Sequence, residues 1–96
     1  MTKILNSIAL TGLSINTNHE EIIHSIVDIL IREKREIFIE DILVKPFKKL
    51  NRFSSSRKEI LKNCDLIISI GGDGSIINTA KKYGIKGIPI LGVNLG

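Results

Sequence analysis

The sequence has a single cysteine, no tryptophan, one tyrosine, three phenylalanines and two prolines among its 96 residues. Cys64 alone cannot close an internal disulfide, and no CxxC redox pair or cysteine-based zinc site can be built around it, so a reducing cytoplasm is the expected setting. Long apolar runs are missing too: nothing approaches the roughly 20 residues of a membrane span. The opening stretch from Met1 to Ile15 is interrupted by Asn6, Ser7, Thr11 and Gly12, which breaks up a signal-peptide core. Charge of one sign is only mildly in excess, 14 Lys and Arg against 10 Asp and Glu for a net +4. That suits attraction to phosphates but falls short of a nucleic-acid arm. With 43% hydrophobic and 25% charged residues, extended disorder is excluded and one small domain over residues 1–96 is expected. A domain of this size buries only about 60–70% of its unfolded surface, so its core is modest and its stability marginal.

What is present is an alternation of element types. Isoleucine supplies about a fifth of the chain and fills helices as well as strands. Residues 4–10 form an apolar, β-prone stretch ending at Thr11-Gly12. Thr17 and Glu20 have capping-box spacing and open an amphipathic helix carrying Ile23, Ile26, Val27 and Leu30. Residues 37–44 read as a second strand closed by Pro46, either continuous or broken at Glu40-Asp41, and 45–58 as a basic, serine-containing connection. Ser56 and Glu59 repeat the capping-box spacing before a short helix that leads to Cys64-Asp65. Residues 66–70 are apolar on both faces, as in a central strand, and a glycine turn then leads into a helix ending at Gly84. A fourth strand is expected over 88–93, with Pro89 near its start. The order βαβαβαβ implies a three-layer α/β fold, a parallel sheet with right-handed crossovers and helices on both faces.

The chemistry concentrates in Gly71-Gly72-Asp73-Gly74-Ser75, between the buried strand and the helix. Glycine permits positive φ and close approach of a phosphate, and the helix amino terminus beyond offers unpaired N–H groups. The segment has neither the lysine of a P-loop nor the spacing of GxGxxG. Asp73 would repel a polyphosphate unless a Mg²⁺ lies between them or its task is to hold and deprotonate an incoming hydroxyl. On spacing alone, a tight turn with Asp73 capping the helix reads equally well.

Residues 66–75, followed by Pro89-Ile90-Leu91-Gly92-Val93-Asn94-Leu95-Gly96, resemble the amino-terminal half of the NAD kinases. In that family a GGDG motif after a buried strand precedes a segment of the form P-[IV]-x-G-[IV]-N-x-G-x-L-G-F. Phosphofructokinases and diacylglycerol or sphingosine kinases carry similar motifs. The former add a glycine-rich loop that Leu10-Thr11-Gly12-Leu13 does not supply, and the latter a G-T-x-N-D-type segment where this chain has Gly92-Val93-Asn94-Leu95-Gly96. The resemblance implies a Rossmann-like domain and transfer of the ATP γ-phosphoryl to the 2′-hydroxyl of the adenosine ribose of NAD, with a divalent metal such as Mg²⁺. It implies Asp73 as proton acceptor, and Gly71, Gly72, Asp73, Gly74 and Asn94 as nucleotide contacts, with no metal ligand assigned. It further implies small-molecule nucleotides as partners, without nucleic acid or membrane, and a homo-oligomer for the complete enzyme. The family's Asn-Glu motif and β-rich carboxy-terminal domain lie beyond Gly96. The chain is therefore expected to be truncated, inactive alone and open on an apolar face. A stand-alone nucleotide-binding module and a non-functional remnant are the alternatives.

Other residues read more plainly. His19 and His24 are spaced for different helix faces, which argues against a shared metal. Cys64 reads as a small buried hydrophobe. Lys45, Lys48, Lys49, Arg52, Arg57 and Lys58, interleaved only by Phe47 and Phe53, read as a solvated basic connection.

Overall fold

A computed structural model describes residues 5–12 and 19–95. The chain alternates strands and helices: β1 (Ser7–Gly12), α1 (Glu20–Arg32), β2 (Glu36–Glu40), α2 (Asp41–Val44), a 3₁₀ segment (Lys48–Phe53), β3 (Ser54–Ser55), α3 (Arg57–Asn63), β4 (Leu66–Gly71), α4 (Asp73–Tyr83), a 3₁₀ turn (Gly84–Lys86) and β5 (Ile90–Asn94). The strands make one parallel sheet in the order β3-β2-β1-β4-β5. The expected parallel α/β fold is present, with five strands among the described residues rather than four.

Strand alternation divides the core between the two faces of the sheet. Ile8 and Leu10 of β1 and Ile68 and Ile70 of β4 pack with Ile23, Val27 and Leu30 of α1. Ala9 and Ile67 point the other way, toward Ile60 of α3 and Tyr83 of α4. α1 is amphipathic as its spacing requires, and Glu20 and Glu21 in its first turn and Arg32 in its last complement the helix dipole. Its cap position is held by His19, without a side-chain hydrogen bond. Thr17, the expected cap, lies outside the described residues. The second expected capping box is present: Ser56 Oγ accepts from the Glu59 N–H, and the Glu59 carboxylate accepts from the Ser56 N–H. Those bonds hold the Glu59 carboxyl below its ordinary pKa.

Several boundaries differ from the sequence reading, beginning with the first strand, read over 4–10 and found over Ser7–Gly12. The second strand, read over 37–44 with a break at Glu40-Asp41 as the alternative, ends at Glu40, and Asp41–Val44 turn into a helix. The buried residues that follow, Leu43, Val44, Phe47 and Leu50, recur at spacings of three and four, a helical rhythm that the β-prone composition conceals. The basic connection therefore contributes to the core from beneath its exposed lysines. Ser54–Ser55 form a short edge strand against Ile39 and Glu40. Gly84 does follow α4, but in right-handed conformation, and the left-handed glycine is Gly87, after one further 3₁₀ turn. Ile88 and Pro89 precede β5, whose parallel pairing with β4 runs from Ile67↔Ile90 to Gly71↔Asn94. Ile77, Ile85 and Leu91 remain exposed in this last part of the chain.

Candidate nucleotide site

β1 leads to β2 and β3 on one side, whereas β4 and β5 lie on the other side of β1. The connections thus diverge at the carboxyl ends of β1 and β4, where open α/β sheets form a ligand crevice. Gly12 ends β1 in register with Ile70, one residue before Gly71 ends β4. The glycine turn read from the sequence therefore lies at the switch point.

Each residue of the turn has a separate role. Gly71 is buried at the end of the sheet with φ +140°, a conformation closed to side chains with a Cβ, and turns the chain out of the strand. Its carbonyl accepts from the Leu95 N–H at 2.8 Å. Gly72 is the cap residue of α4, and its carbonyl accepts from the Ser75 N–H at 3.1 Å to close the first turn. Asp73 is the exposed first residue of the helix, where its charge complements the dipole. Gly74 follows inside the helix, and the positive φ that glycine permits belongs in this turn to Gly71. A Cβ at Gly72 or Gly74 would have no neighbour within 4 Å. Packing among the described residues thus requires neither glycine.

The second motif arrives from β5. Asn94 lies in register with Gly71, and its Nδ2 donates to Asp73 Oδ1 at 3.5 Å, the outer limit of a hydrogen bond. Gly92 permits this approach: a Cβ there would stand 2.7 Å from Ile76 Cδ1 of α4, so the missing side chain lets the helix settle onto β5. All five residues expected at the site, Gly71, Gly72, Asp73, Gly74 and Asn94, occupy this one end of the sheet, Gly71 as its buried hinge.

Buried polar groups beneath the turn were not anticipated. Thr11 and Thr79 Oγ1 are 2.8 Å apart, and Ser69 Oγ is 3.0 Å from Thr79 Oγ1. Ser69 is the lone polar residue in the apolar run 66–70, and Thr79 lies one helical turn after Ser75; those were the only signals. Glu40, buried at the end of β2, accepts from the Tyr83 hydroxyl, and Lys82 Nζ lies 3.5 Å from its carboxylate. Nothing in the sequence linked these residues.

The two aromatic residues of the basic connection are placed differently. Phe47 is buried, and the Arg52 guanidinium lies 4.6 Å over the Phe53 ring. His24 is paired with Glu20 of its own helix at 3.5 Å. Among the described residues no three His, Cys, Asp or Glu side chains converge as a metal site, and no helix is long and apolar enough to cross a membrane.

Burial, with Asp65 and Glu36 nearby, pushes the Cys64 thiol up from 9.0 to about 12. Burial and the bond to Glu40 also push the Tyr83 hydroxyl well above its ordinary 10. Both groups keep their protons in the folded chain where the unfolded chain loses them, so stability must fall as pH rises above the ordinary thiol range. Urea midpoints are expected to drop between about pH 8 and about pH 10.5, with Cys64→Ala removing part of the drop. The buried thiol should also resist alkylation until the chain unfolds.

Residues 13–96 match the family described as ATP-NAD kinase N-terminal domain. Over 96 residues the chain is 29% identical to an NAD kinase of Nitrosococcus oceani, covering all of this chain and 33% of that protein. It is 41% identical over 61 residues to an NAD kinase of Sulfurimonas denitrificans, 64% of this chain and 20% of the relative. An NAD kinase of Bacteroides fragilis is 56% identical over 34 residues, 35% of this chain and 12% of its own length. The chain spans about a third of the Nitrosococcus oceani relative and less of the other two. With the glycine turn at the switch point and a family match running from residue 13 to residue 96, the chain belongs to the ATP-NAD kinase amino-terminal domain family.

Proposed function

We propose that these residues are the nucleotide-binding part of an NAD kinase, which transfers the ATP γ-phosphoryl to the 2′-hydroxyl of the adenosine ribose of NAD and gives NADP. The observation that carries this reading is the placement of one exposed carboxylate, Asp73, at the amino end of α4 beside the switch point, with the Asn94 amide against it.

In this reading the Asp73 and Gly74 N–H groups, at the positive amino end of α4, face nucleotide phosphates. Asp73 accepts the proton of the ribose 2′-hydroxyl as its oxygen bonds to the γ-phosphorus and the bond to the ADP oxygen breaks. Asn94 steadies the carboxylate by donating to Oδ1. The long contact suits a site that tightens when substrate arrives. A Mg²⁺ accompanying ATP would be held by the nucleotide's own phosphates, which leaves the Asp73 carboxylate to the proton. When bound, it would neutralise phosphate charge.

Gly74 supports the same reading. In a helix glycine costs up to about 1 kcal/mol relative to alanine, and no atom of the described residues demands it here. Gly74→Ala is expected to raise thermal stability slightly while weakening ATP binding, since the added methyl group stands where phosphate would approach. Calorimetric melting and ATP titration of the same sample check both halves.

The reading is tested by replacing the matching third of the Nitrosococcus oceani enzyme with residues 1–96 and assaying NADP from ATP and NAD with an NADP-specific dehydrogenase. NADP formation supports it. A folded chimaera that binds neither ATP nor NAD would favour the remnant alternative, and one that binds without turnover the stand-alone binding module.

A further inference from the structure

We infer that Thr79 is the positioning residue of this site, a hydroxyl bridge that fixes α4, and with it the Gly72–Gly74 turn and Asp73, over the seam between β1 and β4. The inference rests on the reading above that the turn receives a nucleotide.

Thr11 and Ser69 are register partners on these two adjacent strands, and both present hydroxyls to α4. Thr79 Oγ1 reaches both, at 2.8 and 3.0 Å, and all three side chains are at most 1% exposed. The bridge lies directly beneath the crevice: Thr11 is followed by Gly12 at the end of β1, and Ser69 is two residues before Gly71.

A buried hydroxyl is costly unless it is hydrogen-bonded, so three together make a set that is favourable only in one arrangement. Apolar packing here would fill the same space yet let the helix slide by tenths of an ångström, because dispersion and burial are not directional. The chain shows no shortage of apolar residues, with isoleucine at about a fifth of its length. Hydroxyl pairing across the seam supplies what isoleucine cannot, a fixed height and register for the helix. Positioning matters to phosphoryl transfer, where a misplacement of about 1 Å can cost on the order of 100-fold in rate.

Four forms of the 96-residue chain decide the matter: the parent, Thr79→Val, Thr79→Ser and Ile60→Val. Ile60 is buried on the same face of the sheet but on α3, which makes it a control for general loosening of the core. Amide spectra are recorded without nucleotide, followed by titration with Mg·ATP, at a temperature where every form is folded. Thr79→Val is expected to shift the amides of Gly12 and of Gly72 to Ser75 and to weaken ATP binding by about 10-fold, equivalent to about 1.4 kcal/mol. Thr79→Ser should restore both, and Ile60→Val should leave both near the parent. If Thr79→Val disturbs the turn no more than Ile60→Val does, Thr79 is a packing residue and the inference falls. Failure of the parent to bind ATP would count against the nucleotide reading, while the ligand-free spectra would still decide the place of Thr79.

Discussion

Asp73→Asn, in a chain extended to the length of its NAD kinase relatives, is expected to lower kcat by about 10²–10⁴-fold, the usual worth of general-base assistance. The substitution keeps the size of the side chain and its place at the first residue of α4, so ATP binding should change little. A drop in kcat without a matching rise in KM would identify an interaction made in the transition state. The amide also loses the charge that favours the helix amino end, worth about 0.3–1 kcal/mol at an exposed position. A small fall in melting temperature should therefore accompany the kinetic loss. Steady-state kinetics at saturating ATP and NAD, with melting of the same preparations, separates the two effects. An unchanged kcat would reduce Asp73 to a residue of the turn.

Gly71→Ala should act on the fold first. At φ +140° a side chain is strained whatever space surrounds it. Residues held in such regions cost on the order of 1–3 kcal/mol. In a domain of this size each kcal/mol moves the melting temperature by about 4–8 °C, so a loss on the order of 10 °C is expected. The damage should reach the site as well, because Gly71 binds Leu95 through its carbonyl and lies in register with Asn94. Gly74→Ala is its counterpart: one glycine is required by the backbone, while the other has no requirement among the described residues. Comparing the two by calorimetry separates the folding role of the motif from its binding role.

This division also marks how far the sequence could be read. The doubly apolar strand at 66–70, the glycine turn and the Ser56–Glu59 capping box are local patterns whose physics is complete within a few residues, and all three are present. The juxtaposition of Asp73 with Asn94 depends on the parallel pairing of β4 and β5, which the alternation of elements implied. Residues 41–44 were misread because Ile, Leu and Val suit strand and helix alike, and only the later burial of Phe47 and Leu50 shows the helical rhythm. β3 is two serines long and carries no apolar signal. The Thr11–Thr79–Ser69 bridge and the Glu40–Tyr83 bond join residues 68, 10 and 43 positions apart. Such contacts exist only once the sheet order is set, and a serine or threonine inside an apolar pattern does not name its partner.

The most direct measurement is the effect of ATP bound to Mn²⁺ on the amide spectrum of the 96-residue chain, since the unpaired electrons of the metal broaden the resonances nearest the phosphates. The amides of Gly72, Asp73, Gly74 and Ser75 should disappear first, followed by those of Gly12 and Asn94, while the basic segment from Lys48 to Arg52 stays sharp. Broadening centred on that basic segment, or uniform broadening over the lysines of the surface, would contradict a nucleotide site at the carboxyl ends of β1 and β4.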